Sequence, residues 1–529
     1  MRKKAFRKGK WGIALMMAMA FVVSGCGNNN NGSESQSSAS ASATGSPSQA
    51  ASSPAASANA DIDTSKEVTL KMVLLGAKPA DFDEVYGEVN KRMKGKINAT
   101  LDVSFIDWGE YEQKYPLLFA ASEDIDLAFS ANWNKYSQIA TKNGYLELTE
   151  EMLQKYAPQT WEKEPKVAWE QAKVNGKVYM VPQDQFEYEH KLVAIRGDLR
   201  EKYGIPEIKT LDDYHSFLAT ISSKDKSIIP SMGAGEGSWL DFTQPNEFYH
   251  LSYPLPIVYK ITDASGKLMS YADTPEYTQY IERMYKAAQA GAWQKDAIVS
   301  KLDRKQAFID GKLASLEWNI GTLTTTKVSI ANAHPDWKIE IVDLSADKKR
   351  LLLPYIGNGM SVAASSKNPE RALMALDLLR YDQEIHDLTN YGIEGKHYEK
   401  VGDDQFKSLE ASANFPAMSV CPWGWNSLNE RTDVTIADER NAIMEQFKAN
   451  TVNHPLQMFV FDDSAVKNEE AAINNIMDTY GKPLRFGLVE PNDPKRGVKA
   501  FQEKLKVAGI EKVIAEMQKQ ADAFLQAQS

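Results

Sequence analysis

Val68-Thr-Leu-Lys-Met-Val-Leu-Leu75 is apolar with little interruption and stops at Gly76 and Pro79, the pattern of a buried strand running into a turn. From Asp81 to Lys94 the period lengthens, and Phe82, Val85, Val89 and Met93 share one face of a helix. Leu101–Ile106 alternates as a second strand, Tyr111–Ala121 has helical spacing, and Ile125–Ser130 is a third strand. Strand, helix, strand, helix, strand predicts an open parallel sheet with right-handed crossovers, an α/β fold. No equal-length repeat is apparent in the later chain.

Ahead of the first strand the pattern changes character twice. Six basic residues (Arg2, Lys3, Lys4, Arg7, Lys8, Lys10) precede an uncharged apolar run from Trp11 to Val23. As a helix that run would rise only about 20 Å, short of the roughly 30 Å hydrocarbon core, so residues 1–25 read as an export signal and not a membrane span. Val23-Ser-Gly-Cys26 resembles the bacterial lipobox, in which cleavage precedes a cysteine carrying diacylglycerol. Two acyl chains at about 0.8 kcal/mol per buried CH₂ hold a protein firmly at a membrane surface. The alternative is a plain secretory signal with an incidental cysteine. Residues 27–60 are almost all Asn, Ser, Ala, Gly, Gln and Pro, with a single charge at Glu34. Such a stretch cannot offset its ordering entropy and should be a disordered tether of roughly 30 Å root-mean-square span. Residues 26–62 therefore read as a lipidated Cys26 with its linker. The long leash resembles lipoproteins of Gram-positive bacteria, which implies an extracellular location at the outer face of the cell membrane.

Charge narrows the partners. Losing the six basic residues of the leader takes the formal net charge from −10 to −16. An acidic body is wrong for nucleic acid and for adsorption on anionic lipid, so membrane attachment falls to the acyl anchor alone. The length left beyond the tether favours a large or two-lobed body. Cys421 is the one cysteine besides Cys26, so no intramolecular disulfide is available and stability must come from packing. The seven histidines are scattered without i, i+3 or i+4 spacing, and Asp263-Ala-Ser-Gly-Lys reads as a hairpin turn and not a calcium loop. Neither a metal nor a cofactor is expected.

Further motifs follow in order: Asn143–Thr149, Val174–Pro182, Val193–Leu199 with Tyr203–Pro206, Phe308–Trp318, and Gly357–Val362 with Asn368–Leu376. After them come Tyr391–Tyr398, Pro422–Trp425, Val466–Glu470 and Gly487–Phe524. This ordered set resembles the extracellular solute-binding proteins of ABC importers, family 1, in their long lipoprotein branch. The resemblance implies a bilobal periplasmic-binding-protein-like fold, two interleaved α/β lobes joined by a multi-strand hinge that close on a ligand. Lobe 1 would comprise 66–183 with a return at about 355–400. Lobe 2 would take about 190–345 and most of 400–529, ending in a helical extension. The branch is associated with carbohydrate, in particular oligosaccharide, import. The implied partners are ABC permease subunits and a carbohydrate ligand, the protein acting as a monomer without catalysis.

A sugar offers apolar C–H faces and a rim of hydroxyls, so its site needs aromatic rings plus amide and carboxylate groups. Asn132 and Trp133 follow the third predicted strand, at the strand ends where open α/β sheets bind ligands, and Trp108 after Asp107 is a further candidate. Trp318 and Asn319 end another predicted strand, and Trp423 and Trp425 lie in a Pro/Gly-rich segment. Gln183 and Asp184 follow Pro182 at the first crossing between lobes. Asn358 sits between glycines on the return crossing, where a turn conformation explains it as well as a ligand does. Each tryptophan could instead plug a core. Arg196 reads as a clamp on Asp198, His397 as a buried histidine, and Trp161, Trp169 and Trp337 as structural.

Rival classes remain. A surface glycosidase would need paired carboxylates, but pairs such as Asp124/Asp126 and Asp462/Asp463 arise by chance in a chain with 71 acids. No Gly-x-Ser-x-Gly, His-Glu-x-x-His or P-loop motif occurs. The same fold could carry a peptide or a uronate oligomer, or serve a sensory or adhesive lipoprotein that lacks a permease.

Overall fold

The computed structural model describes residues 62–120, 123–185, 187–233, 239–425 and 429–528. The export signal, Cys26 and residues 26–61 of the expected linker lie outside the described residues. Strand β1 (Val68–Leu75) leads to helix α1 (Phe82–Ile97), which buries Phe82, Val85, Tyr86, Val89, Met93 and Ile97 on one face. The helix stops where Asn98 takes a left-handed conformation (φ 49°), one that asparagine tolerates. Strand β2 (Ala99–Ile106) then pairs in parallel with β1 from Val68↔Ala99 to Leu75↔Ile106. Helix α2 (Tyr111–Ala120) crosses to β3 (Leu127–Ser130), which lies parallel to β1 on its other side.

Later elements are β4 (Val181–Pro182), β5 (Leu192–Arg196), β6 (Ser315–Trp318), α3 (Ile320–Ala333), β7 (Ile339–Val342) and β8 (Gly359–Val362). After β8 come helices α4 (Pro369–Tyr381), α5 (Gln383–Tyr391), α6 (Ala437–Ala449), α7 (Lys467–Ile476), α8 (Val498–Val507) and α9 (Ile510–Gln528). Among the described residues no helix is long and apolar enough to cross a membrane.

The first sheet has the order β2-β1-β3-β8-β4. Strands β1, β2 and β3 are parallel as expected, and β8 makes the sheet mixed. Strand β8 begins with Gly359 opposite Ser130, the carboxyl end of β3, and so runs antiparallel to it. The chain arrives there from the crossing and can only run back down. Two large cores divide the molecule. One gathers Leu70, Met72, Phe129, Met360 and Leu376 around this sheet; the other gathers Val193, Phe217, Tyr259, Tyr277, Phe501 and Met517. Phe415, Val420, Cys421 and Trp425 belong to the first core, although most of 400–529 was expected with the second lobe. In the second lobe β5 lies between β6 and β7, antiparallel to both.

The lobes are joined by paired passages of chain. Beyond β4, residues 187–189 run beside 351–353: the Leu353 amide donates to Glu187 O at 2.7 Å and the Glu189 amide to Leu351 O at 2.9 Å. Arg350–Leu351 in turn lies parallel to Thr451–Val452, just after α6. The first passage is tied to its lobe by a buried cation. Arg380 of α4, with no exposed surface, donates to Glu164 Oε2 at 2.6 Å and to the carbonyl of Pro182 at 2.5 Å. Its neighbour Tyr381 donates to Asp184 Oδ2 at 3.0 Å.

Candidate functional site

The parallel strands β1, β2 and β3 end together, and the loops leaving them carry aromatic rings. Trp108 follows β2 by two residues, and its indole nitrogen lies 3.4 Å from where a Cβ on Gly76, at the end of β1, would sit. Trp133 follows β3 in a short helical turn (Asn132–Asn134) and donates its indole N–H to the carbonyl of Gly357 at 2.7 Å. Trp423 comes from a third direction, the turn Pro422–Trp425. That turn presses on the sheet closely enough that a Cβ on Gly424 would lie 2.8 Å from the Met360 sulfur and 3.1 Å from the Phe129 ring, so a larger residue would force Met360 to shift. The result is a group of three indoles: Trp108 and Trp423 are near parallel (20°) with centroids 6.3 Å apart, and Trp108 and Trp133 are 6.3 Å apart at 34°. Tyr111 stands edge-on to Trp108 and Trp133. Trp108 and Trp133 each keep 46% of their surface exposed, far above the usual level for rings so large.

Four of the expected residues therefore converge: Trp108, Asn132, Trp133 and Trp423. Tyr111 was missed; the aromatic helix start just after Trp108 was its only signal. Trp425 corrects its expectation. It is fully buried in the first core, its N–H donating to Thr389 Oγ1 at 3.2 Å, and it has no face left for a ligand.

At the crossing, Gln183, Asp184 and Asn358 are also buried. Asn358 Nδ2 donates to Gln183 Oε1 at 3.3 Å and Glu187 Oε1 at 3.1 Å, and the Gln183 amide donates to the carbonyls of Tyr355 and Asn358. Their polar groups tie the two passages together. Among the described residues the side-chain nitrogen of Gln183 has no hydrogen-bond partner. Half-buried acids gather nearby. Burial and the neighbouring Asp184 and Glu187 push Glu430 up to about 7 against the pull of Arg440, and burial raises Glu187 and Glu189 as well.

In the second lobe Trp318 sits opposite Leu192 at the crossing end of the sheet, half-buried, with the Arg304 guanidinium 4.8 Å over its ring. Asn319 caps α3: its Oδ1 accepts from the Thr322 amide at 2.9 Å, so that oxygen is committed to the fold. Between them in character lies Glu317, half-buried and pushed up to about 7 by burial and by Asp241, with Arg304 and Lys191 opposing. Arg196 grips Asp198 with two bonds of 2.8 and 2.6 Å and lies over the Trp337 ring. His397 is fully buried, accepting from the Ile393 amide and facing Asp81. Among the described residues no three His, Cys, Asp or Glu side chains are placed to hold a metal ion.

The arrangement is an aromatic face on one lobe, polar groups on the passages and a further indole on the other lobe. Residues 77–381 match the bacterial extracellular solute-binding protein family. The chain belongs to that family. Residues 455–526 match a second family, a domain of unknown function (DUF3502). A carbohydrate ABC transporter substrate-binding protein of Streptococcus pneumoniae is 27% identical over 480 residues, covering 88% of this chain and 92% of that one. The lipoprotein LipO of Bacillus subtilis is 26% identical over 259 residues, 45% and 49% of the two chains. Among solved structures, the N-glycan transport solute binding protein (NgtS) of Streptococcus pneumoniae in complex with Man5GlcNAc superposes with a TM-score of 0.69 at 25% identity, over 88% of this chain and all of that one. The alginate-binding protein AlgQ2 shares the fold at 16% identity, with a TM-score of 0.57 over 86% and 98%. The fold is thus the bilobal α/β fold of periplasmic binding proteins, and the family places the protein outside the cell.

Proposed function

We propose that this protein captures an oligosaccharide between its lobes and delivers it to the permease of an ABC importer, held at the outer face of the cell membrane by a lipid on Cys26. The observation that carries this reading is the indole group of Trp108, Trp133 and Trp423. The rings of Trp108 and Trp133, left open at the strand ends, fit the C–H faces of pyranose rings, and with the half-buried Trp423 beside Trp108 they suit a ligand longer than one sugar. A ligand touching rings on one lobe and Trp318 on the other binds the closed form better, and so shifts the population toward closure. The lobes follow the two cores: 66–183 with the return from about 355 through Trp425, and about 190–345 with the C-terminal helices. The protein works as a monomer and performs no chemistry on its cargo. Relatedness to a protein solved with Man5GlcNAc makes mannose- and N-acetylglucosamine-containing oligosaccharides the first candidates.

The test is calorimetric titration of the purified protein with such oligosaccharides, uronate oligomers and a peptide pool, paired with small-angle scattering. Saturable heat and compaction with a neutral oligosaccharide support the reading. Binding confined to peptide or uronate sinks the cargo assignment. For the anchor, Cys26→Ala should release the protein into the medium, and mass spectrometry of the N-terminal peptide should find diacylglycerol on Cys26.

A further inference from the structure

Away from the indole group, a cavity of about 90 Å³ opens at the seam between the second lobe and the 455–526 region. One wall is His250, Tyr253 and Tyr271; the other is Asn474, Asp478 and Arg485. Helix α7 breaks here into a π-helical turn, Met477–Gly481, before a final short helix ending at Arg485. Such insertions distort a helix at some cost and recur where side chains must be aimed at a ligand.

The chemistry of the walls is unbalanced. The Arg485 Nε–H is buried with no hydrogen-bond acceptor among the described residues; the Asn474 side-chain oxygen, also buried and without a partner there, calls for a donor, which a protonated oxyanion such as hydrogen phosphate carries. Tyr253 and Tyr271 line the cavity with the guanidinium, which burial alone would penalise as a charge. Tyr271 does not compensate, since its hydroxyl is directed at the Met477 sulfur (3.9 Å). A guanidinium in an aromatic setting with an unmet donor is costly, and a planar or tetrahedral oxyanion satisfies it with charge-assisted bonds. The buried His250 ring, edge-on to Tyr253 and Tyr271, shapes the wall. The cavity is reachable, because Tyr253 is half exposed and Asp478 exposed. Its volume matches a few waters or one small oxyanion.

We propose that this cavity is a binding site for a small oxyanion, a carboxylate or a phosphate group, with Arg485 as its principal ligand and Asp478 as a repelling charge at its rim. Occupancy ties the C-terminal region to the second lobe, and the site is separate from the cargo cleft.

Calorimetry and thermal unfolding of the purified protein would be run against sodium phosphate and, separately, sodium acetate, with sodium chloride holding ionic strength constant. Saturable one-to-one binding and a raised Tm with phosphate alone identify a phosphate site; with acetate alone, a carboxylate site. Arg485→Met should weaken that binding at least about tenfold, the scale of a lost charge-assisted bond. Asp478→Asn should tighten it, and this gain keeps the test open if Arg485→Met folds poorly. Neither substitution should change oligosaccharide affinity. Absence of saturable binding to both anions overturns the proposal, as does Asp478→Asn binding no tighter than the parent.

Discussion

The carboxyl ends of β1–β3 and the passages between the lobes both attracted candidate binding residues, and they use them in opposite ways. The strand ends leave Trp108 and Trp133 nearly half exposed, whereas the passages bury Gln183, Asp184 and Asn358 and spend their hydrogen bonds on the chain itself. The reason is physical. A polar side chain buried where the chain changes lobe is costly unless it is hydrogen-bonded, and here the side chains of the two passages and of Tyr381 bond one another. An indole held open forgoes apolar burial that folding would otherwise gain, so its exposure needs a ligand to explain it. Exposed aromatics are therefore where the proposed site is sought, and buried amides where the passages are held together.

The tetrapeptide Pro422-Trp-Gly-Trp425 contains this contrast in miniature and gives the largest predicted effect. Trp425→Ala empties a fully buried site and should cost about 3–5 kcal/mol of stability by urea denaturation. Trp423→Ala, two residues away, should cost far less stability and instead weaken oligosaccharide binding. Equal losses of stability in the two variants would erase the distinction between core and site.

Next in size is the indole group itself. Trp133→Ala and Trp108→Ala should each lower oligosaccharide affinity by about tenfold or more, the scale of a stacking anchor at an interface, with the unfolding midpoint little changed. Because the rings are neighbours, the double variant should lose less than the sum of the singles in free energy. Unaltered affinity in both single variants would move the site elsewhere, most directly to Trp318.

Much of the first lobe was legible from periodicity. The strand at Val68–Leu75 is found at the expected residues, and α1 runs a turn beyond its last expected residue. The parallel pairing of β1 with β2 and β3 was legible as well; the return at 357–362 was expected only as a crossing, and that it adds β8 antiparallel to β3 depends on where the chain re-enters, opposite Ser130. Trp423 and Trp425 could not be told apart because a short tight turn has no period to assign faces. Asn319 was more readable than it was taken to be. Asn before Ile-Gly-Thr at the head of a helix is a capping pattern, and the capping oxygen is what the structure finds.

The acids of the two lobes offer a third contrast, in pH. Burial and Asp241 hold Glu317 up at about 7, while the ordinary glutamate value is about 4.3. A carboxyl raised on folding favours the folded state at low pH. Its contribution is complete below the unfolded pKa and is lost as pH rises through about 7. Glu430 on the other side of the crossing shifts the same way. The unliganded protein should therefore lose stability from about pH 4.3 to about pH 7, and Glu317→Gln should flatten part of that slope in urea midpoints taken across the range. A slope unchanged by Glu317→Gln would assign it to other groups.

The smallest effect tests the second lobe's share of the site. Asn319 and Trp318 are adjacent, yet the geometry gives them different work: one oxygen closes the first turn of α3, and one ring carries Arg304 at 4.8 Å. Asn319→Ala should cost about 1 kcal/mol of stability, as lost caps do, and leave affinity unchanged; Asn319→Ser should recover most of the loss, because serine caps as well. Trp318→Ala should show the reverse, a weaker grip on oligosaccharide with a nearly constant midpoint, if closure brings that ring to the ligand. An affinity loss in Asn319→Ala that serine does not repair would mean the amide contacts cargo directly. The second lobe would then grip with polar groups where the first grips with rings.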